Sequence, residues 1–137
     1  MNLGIAPLDP ATAIGQFRLT IGDVSYVEVE PTAIAGYGDY SYFSDAEAAV
    51  FLLTGSGSIA AAAGWATLQL ANDAAIHAST LSGTDDIKLA ADKRAADLRL
   101  NAQIYFDQAA ATAELIAGAD SFFTFAPSLA PRSRHLW

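Results

Sequence analysis

Apolar positions along this chain recur mostly at helical spacing, broken by glycine-rich turns into four segments. Asp9-Pro10 reads as an N-cap followed by proline at the first helical position, opening a helix through about Ile21. Ile14, Phe17 and Ile21 share one face of it, and Gly22 stops it. Val24, Tyr26, Val27 and Val29, with Glu28 and Glu30, precede Pro31; their β-branched content reads as a short strand or an extended arm. Residues 31–42 read as a loop carrying Gly36, Gly38, Tyr37, Tyr40 and Tyr42. The second helix runs from Ser44 to about Thr54, with Ala48, Phe51 and Leu52 inward. Gly55-Ser56-Gly57-Ser58 ends it and caps a third helix from about Ser58 to Thr80. The third helix carries Ile59, Ala63, Ala66, Leu70 and Ala74 along one stripe, broadened by Trp65, Leu68 and Ile76. Gly64 stands mid-helix at a cost of about 1 kcal/mol against alanine, which points to close packing of a neighbour there.

A long fourth helix is predicted from Ile87 or Ala90 to Ala117, ended by Gly118. Leu98, Ala102, Tyr105, Ala109 and Leu115 or Ile116 form its inner stripe. Asp92 with Arg99 and Lys93 with Asp97 pair at helical spacing on its solvated face. Phe122, Phe123 and Phe125 follow in an apolar stretch without helical continuation, then a basic, proline-broken end at Trp137. The pattern predicts a mainly α fold: a small four-helix bundle with an extended N-terminal arm and loop and an extended C-terminal tail. Residues 1–118 form the helical domain, with the aromatic loop 31–43 inserted, and 119–137 the interaction tail.

The sharpest local signal is Tyr42-Phe43-Ser44-Asp45-Ala46-Glu47. The Ser44 hydroxyl can accept from the Glu47 N–H while the Glu47 carboxylate reaches back to the Ser44 N–H, closing a capping box. Phe43 precedes the cap and can staple onto Ala48. The tyrosine- and glycine-rich loop before it is either an interface segment or an ordinary surface loop.

Composition changes the picture in two ways. Thirty of the 137 residues are alanine, so few side chains are large. Either the helices pack very closely, or a neighbouring chain completes the apolar surface. The net charge of −8 is unevenly spread: residues 1–87 hold ten carboxylates against one base, Arg18. Such a chain does not hold DNA phosphates through bulk electrostatics. Bases cluster only from Lys88 to Arg99 and at Arg132, Arg134 and His135. The N-terminus lacks the features of a signal peptide, and Ile59 to Leu68 is too short to span a membrane, so a soluble, non-secreted protein is expected.

No catalytic constellation emerges, and no enzyme, metal site or cofactor is expected. There is no cysteine. His77 and His135 have no partner at ligand spacing, and Asp85-Asp86 reads as the cap of the fourth helix rather than a metal loop. The serines lie in no nucleophile-elbow setting. Gly55-Ser56-Gly57-Ser58 lacks the lysine and preceding strand of a phosphate loop.

The order of motifs, taken together, resembles a known family. Ile14-Gly15-Gln16-Phe17-Arg18-Leu19-Thr20-Ile21-Gly22-Asp23 precedes the aromatic loop and the Tyr42-Phe43-Ser44-Asp45-Ala46-Glu47 helix start. An alanine-rich helix, the turn Thr84-Asp85-Asp86-Ile87 and a helix containing Ala95-Ala96-Asp97-Leu98 complete the pattern. Across residues 13–117 this is similar to the head-to-tail adaptor (head-completion, or head–tail connector) proteins of long-tailed bacteriophages, those of actinobacterial hosts in particular. The resemblance implies a structural virion protein made in the host cytoplasm and placed in the neck of the particle. Its partners would be copies of itself in a ring of about twelve, the portal protein and the head–tail stopper. DNA would pass through the lumen without specific binding, and no membrane would be involved. The interface residues expected on that basis are Tyr37, Tyr40, Tyr42, Phe43, Phe122, Phe123, Phe125, Arg132, Arg134 and Trp137. A helical peptide- or partner-binding protein and a capsid decoration protein are the alternatives.

Overall fold

The computed structural model describes residues 1–29, 36–80 and 85–123, with side chains through Ala119. The fold is mainly helical, with four helices and one small sheet: β1 (Leu3–Ile5), α1 (Ala13–Ile21), β2 (Tyr26–Glu28), β3 (Tyr37–Tyr40), α2 (Asp45–Thr54), α3 (Ile59–Thr80) and α4 (Asp85–Phe123).

The expected aromatic loop contains a strand. β3 is the centre of a three-stranded antiparallel sheet of order β1-β3-β2, with Gly4 opposite Gly38 and Tyr26 opposite Tyr40. The Tyr26 and Tyr40 rings sit 5.5 Å apart across that register. Strands of three and four residues with a glycine in the middle leave almost no alternation to read. Residues 30–35, including Pro31, lie outside the described residues.

α1 begins later than Asp9-Pro10 suggests. Thr12 is the N-cap, its hydroxyl accepting from the Gly15 N–H at 3.0 Å, while the Asp9 carboxylate accepts from the Ala11 N–H in the turn before it. The Asp9 carbonyl of that turn lies so near Gly15 that an added Cβ would stand 1.8 Å from its oxygen. Gly22 closes α1 in the left-handed conformation (φ 78°), as its position predicts. α2 starts as read: Ser44 caps it, the Ser44–Glu47 capping box is complete, and the box geometry holds Glu47 below its ordinary pKa through the Ser44 N–H.

The core lies between α1, α2 and the first half of α3. Phe17, Phe43, Ala48, Ala62 and Ala66 are buried there, flanked by Ile14, Phe51, Leu52, Ile59 and Leu70. Phe43 meets Phe51 edge-on at 5.0 Å, and Phe17 stacks on Phe51 at 6.0 Å. Such pairs add about 0.5–1.5 kcal/mol each beyond area burial. α2 and α3 are set at 117° by the Gly55-Ser56-Gly57 turn, and Ser58 caps α3 through the Ala61 N–H.

α3 and α4 form a hairpin closed by small residues. Gly64, Ala71 and Ala78 are buried on α3 at seven-residue intervals, and Ala95 and Ala102 on α4 share that interval. A heptad of small residues lets two helices approach closely. At Gly64 a Cβ would stand 2.7 Å from the Phe106 ring. Trp65 lies edge-on to the same ring at 5.2 Å.

α4 departs most from expectation. It runs 39 residues, starting at Asp85 and continuing through Gly118 to Phe123, so the segment read as an extended tail from residue 119 begins as helix. Its inner stripe ends at Ala109; residues 110–119 are all exposed, including Leu115 at 76% and Ile116 at 61%. α3 is shorter and leaves that end of α4 beyond its own N-terminus. Among the described residues the ion pairs are those of Arg18, so Lys93–Asp97 and Asp92–Arg99 do not close.

Candidate functional site

The first 87 residues contain one base, and the fold buries it. Arg18 on α1 is 1% exposed and makes four side-chain bonds. Its guanidinium donates to Asp23 at 2.6 Å, to the Phe43 carbonyl at 2.8 Å and to Asp45 at 2.8 and 3.3 Å. The same group lies 3.6 Å over the Tyr40 ring. Only a planar guanidinium supplies this fork together with a stacking face.

Each carboxylate around it also gathers chain. Asp23, fully buried just past the α1 cap, accepts the Tyr42 and Phe43 N–H groups at 3.1 and 3.3 Å. Asp45, at the first position of α2 where the helix dipole favours an anion, accepts the Ile5 N–H at 2.8 Å. The Tyr40 hydroxyl donates to the Ile5 carbonyl, and burial raises its pKa against the opposing pull of Arg18. One cation thus ties α1, the sheet and the start of α2 together. No buried side-chain nitrogen or oxygen among the described residues lacks a partner.

Phe17, Arg18 and Asp23 from one motif meet Phe43 and Asp45 from the other in this region. They are among the residues that carry the family resemblance. Sequence reading used them as a signature and left the Arg18 network unseen. The available signal was Arg18 itself, a lone base in a long acidic stretch.

The expected interface residues separate. Tyr40 (2% exposed) and Phe43 (4%) belong to the core, because the sheet and the α1–α2 packing cover them; they are not surface residues. Tyr37 and Tyr42 are exposed. Phe122 and Phe123 close α4, while Phe125, Arg132, Arg134 and Trp137 lie outside the described residues.

A cleft of about 360 Å³ opens between the end of α1, α3 and α4, bordered by Tyr42, Asp73, His77, Arg94, Asn101 and Tyr105. The Tyr105 hydroxyl closes one side by donating to the Thr20 carbonyl at 2.9 Å. No group of three or more metal-ligating side chains occurs among the described residues, and no single helix is long and apolar enough to cross a membrane.

With Arg18 buried, every exposed Asp, Glu, Lys or Arg among the described residues up to Thr80 is an acid. The exposed bases begin on α4, at Lys93, Arg94 and Arg99. No family model matches the chain, and neither a curated protein nor a solved structure matches it.

Proposed function

We propose that this chain is a structural protein of a tailed-phage virion, a head-to-tail adaptor that forms a ring of about twelve copies between portal and stopper. The observation that carries this reading is the convergence of both resemblance motifs on the Arg18–Asp23–Asp45 cluster. These residues assemble into one unit that sets how the sheet, α1 and α2 meet. The acidic surface of residues 1–80 is consistent with lining a DNA channel, since it repels phosphates and lets a duplex slide.

The protein acts through surfaces and not through bond chemistry in this reading. The ring lengthens the portal channel, offers one face to the portal and the other to the stopper, and is not an enzyme. Co-expression with a portal protein of a long-tailed phage tests the proposal. Cryo-electron microscopy of the complex is expected to show a ring on the portal with matching symmetry. A portal that emerges bare, with this chain monomeric beside it, contradicts the reading.

A second reading, partner binding without a ring, draws on the cleft bordered by His77 and Arg94. It predicts a one-to-one complex that H77A or N101A weakens, with no closed assembly.

A further inference from the structure

Two helices present apolar ridges to solvent. On α4, Leu89, Ala96, Leu100, Ile104, Ala111 and Leu115 fall within about 100° of arc at 100° per residue, on the side away from α3. Leu89, Leu100, Ile104 and Leu115 are each more than half exposed. On α2, Ala46, Ala49, Val50 and Leu53 follow i, i+3, i+4, i+7 spacing opposite the buried Ala48. Val50 is 61% exposed and Leu53 80%.

The ridges cannot meet within one chain. α2 and α4 both pack on α3 but not on each other. The α3 residues facing α1 and α2 (Ala62, Ala66) and those in the small-residue heptad (Gly64, Ala71) lie nearly half a turn apart. Each ridge points away from α3, so the two look outward in different directions.

We infer that the α4 ridge of one copy docks on the α2 ridge of a second copy. This deepens the ring reading and rests on it: two different patches on one molecule make a head-to-tail contact, which closes into rings or extends into filaments. Charge selects the occupant. α2 lies in the part of the chain whose exposed charges are all acidic, with Glu47 beside its ridge, whereas the Lys88–Arg99 section of α4 carries four bases and two acids.

Side-chain pairing selects the direction. With the two helices parallel, Glu47 can face Lys93, which places Val50 over the small Ala96 and Leu53 beside Leu100. Reversing one helix about the same Val50–Ala96 contact brings Glu47 to Arg99 but sets Leu53 against Lys93 in place of Leu100. Residues 110–117 of α4 are exposed, and Leu115 and Ile116 are not packed by the α3–α4 hairpin. A neighbouring copy seated along the ridge supplies that packing.

The absence of cysteine makes the test direct. L53C and L100C change exposed residues and are joined by a short bismaleimide, with the wild-type chain as control. The L53C/L100C double variant is expected to give a ladder of covalent multimers, and a mixture of the two single variants a covalent dimer. An L100C chain that cross-links alone as efficiently as the mixture overturns the proposal in favour of two-fold α4–α4 pairing. Absence of any ladder with portal protein present also overturns it, and a portal-bound ring seen in that same sample leaves the adaptor reading standing. A ladder from a chain that never binds portal supports the docking and removes the adaptor reading.

Discussion

Replacing Arg18 with methionine removes one cation and leaves two carboxylates facing a buried space. Asp23 is fully buried and keeps the Tyr42 and Phe43 N–H groups, but loses its charge partner at 2.6 Å. Asp45 keeps the Ile5 N–H and the α2 dipole. The Phe43 carbonyl loses its guanidinium donor and the Tyr40 ring its stacked cation. Removing one member of a buried pair costs about 3–5 kcal/mol, because the remaining charge stays desolvated. Against a total stability of about 5–15 kcal/mol this is a large fraction, and it corresponds to a fall in Tm of about 10–20 °C.

Urea denaturation followed by circular dichroism, with a thermal scan, reads the effect. R18K is expected to fall in between, since an ammonium cannot match the fork or the stacking face. Adding D23N to R18M removes the stranded charge while the amide oxygen can still accept from the backbone. The cycle of R18M, D23N and the double variant should therefore show a coupling of about 0.5–3 kcal/mol. An R18M loss below about 1 kcal/mol, or zero coupling, refutes the claim that this cluster organises the fold.

Further outcomes follow from the same structure. S44A is expected to cost about 0.5–2 kcal/mol through loss of the α2 cap. Glu47 has a depressed pKa in the folded chain, so its contribution is present above the unfolded value near 4.5 and disappears as pH falls through the lower folded value. S44A should accordingly flatten the acid limb of a stability–pH profile below about pH 5. G15A should destabilise by about 1–3 kcal/mol although alanine is the better helix former, because its Cβ meets the Asp9 carbonyl; a stabilised variant in urea melts would contradict this. L115D should leave monomer stability within about 0.5 kcal/mol, since its side chain is exposed, and should impair ring formation. Deleting residues 124–137 should abolish portal docking while the helical signal persists; normal docking of the truncated chain removes the tail from the interface.

The helical elements were legible because their signals are local. Ser44 and Glu47 lie three residues apart, Gly22 follows the last apolar position of α1, and the α3 stripe repeats at helical spacing. What escaped depends on distant parts of the chain. β3 exists because β1 and β2, far apart in sequence, pair with its two edges, and a tyrosine- and glycine-rich strand of four residues shows no pattern alone. Thr12 takes the α1 cap from Asp9 because the intervening turn folds beneath Gly15. Gly118 does not end α4: the helix runs on to Phe123, and a glycine alone permits a turn without imposing one. Tyr40 and Phe43 read as interface aromatics because burial by a sheet cannot be seen without the sheet. The Arg18 cluster spans four separate segments, and only the scarcity of bases hinted at it.

The central claim is an adaptor ring on the portal, and copy number tests it most directly. If the chain is a virion protein, quantitative mass spectrometry of the purified particles gives its ratio to the portal protein. The account predicts a ratio near one, as for two rings of matched symmetry. Hundreds of copies per particle would mean shell decoration, and absence from the particle would remove the structural role; either result contradicts the account.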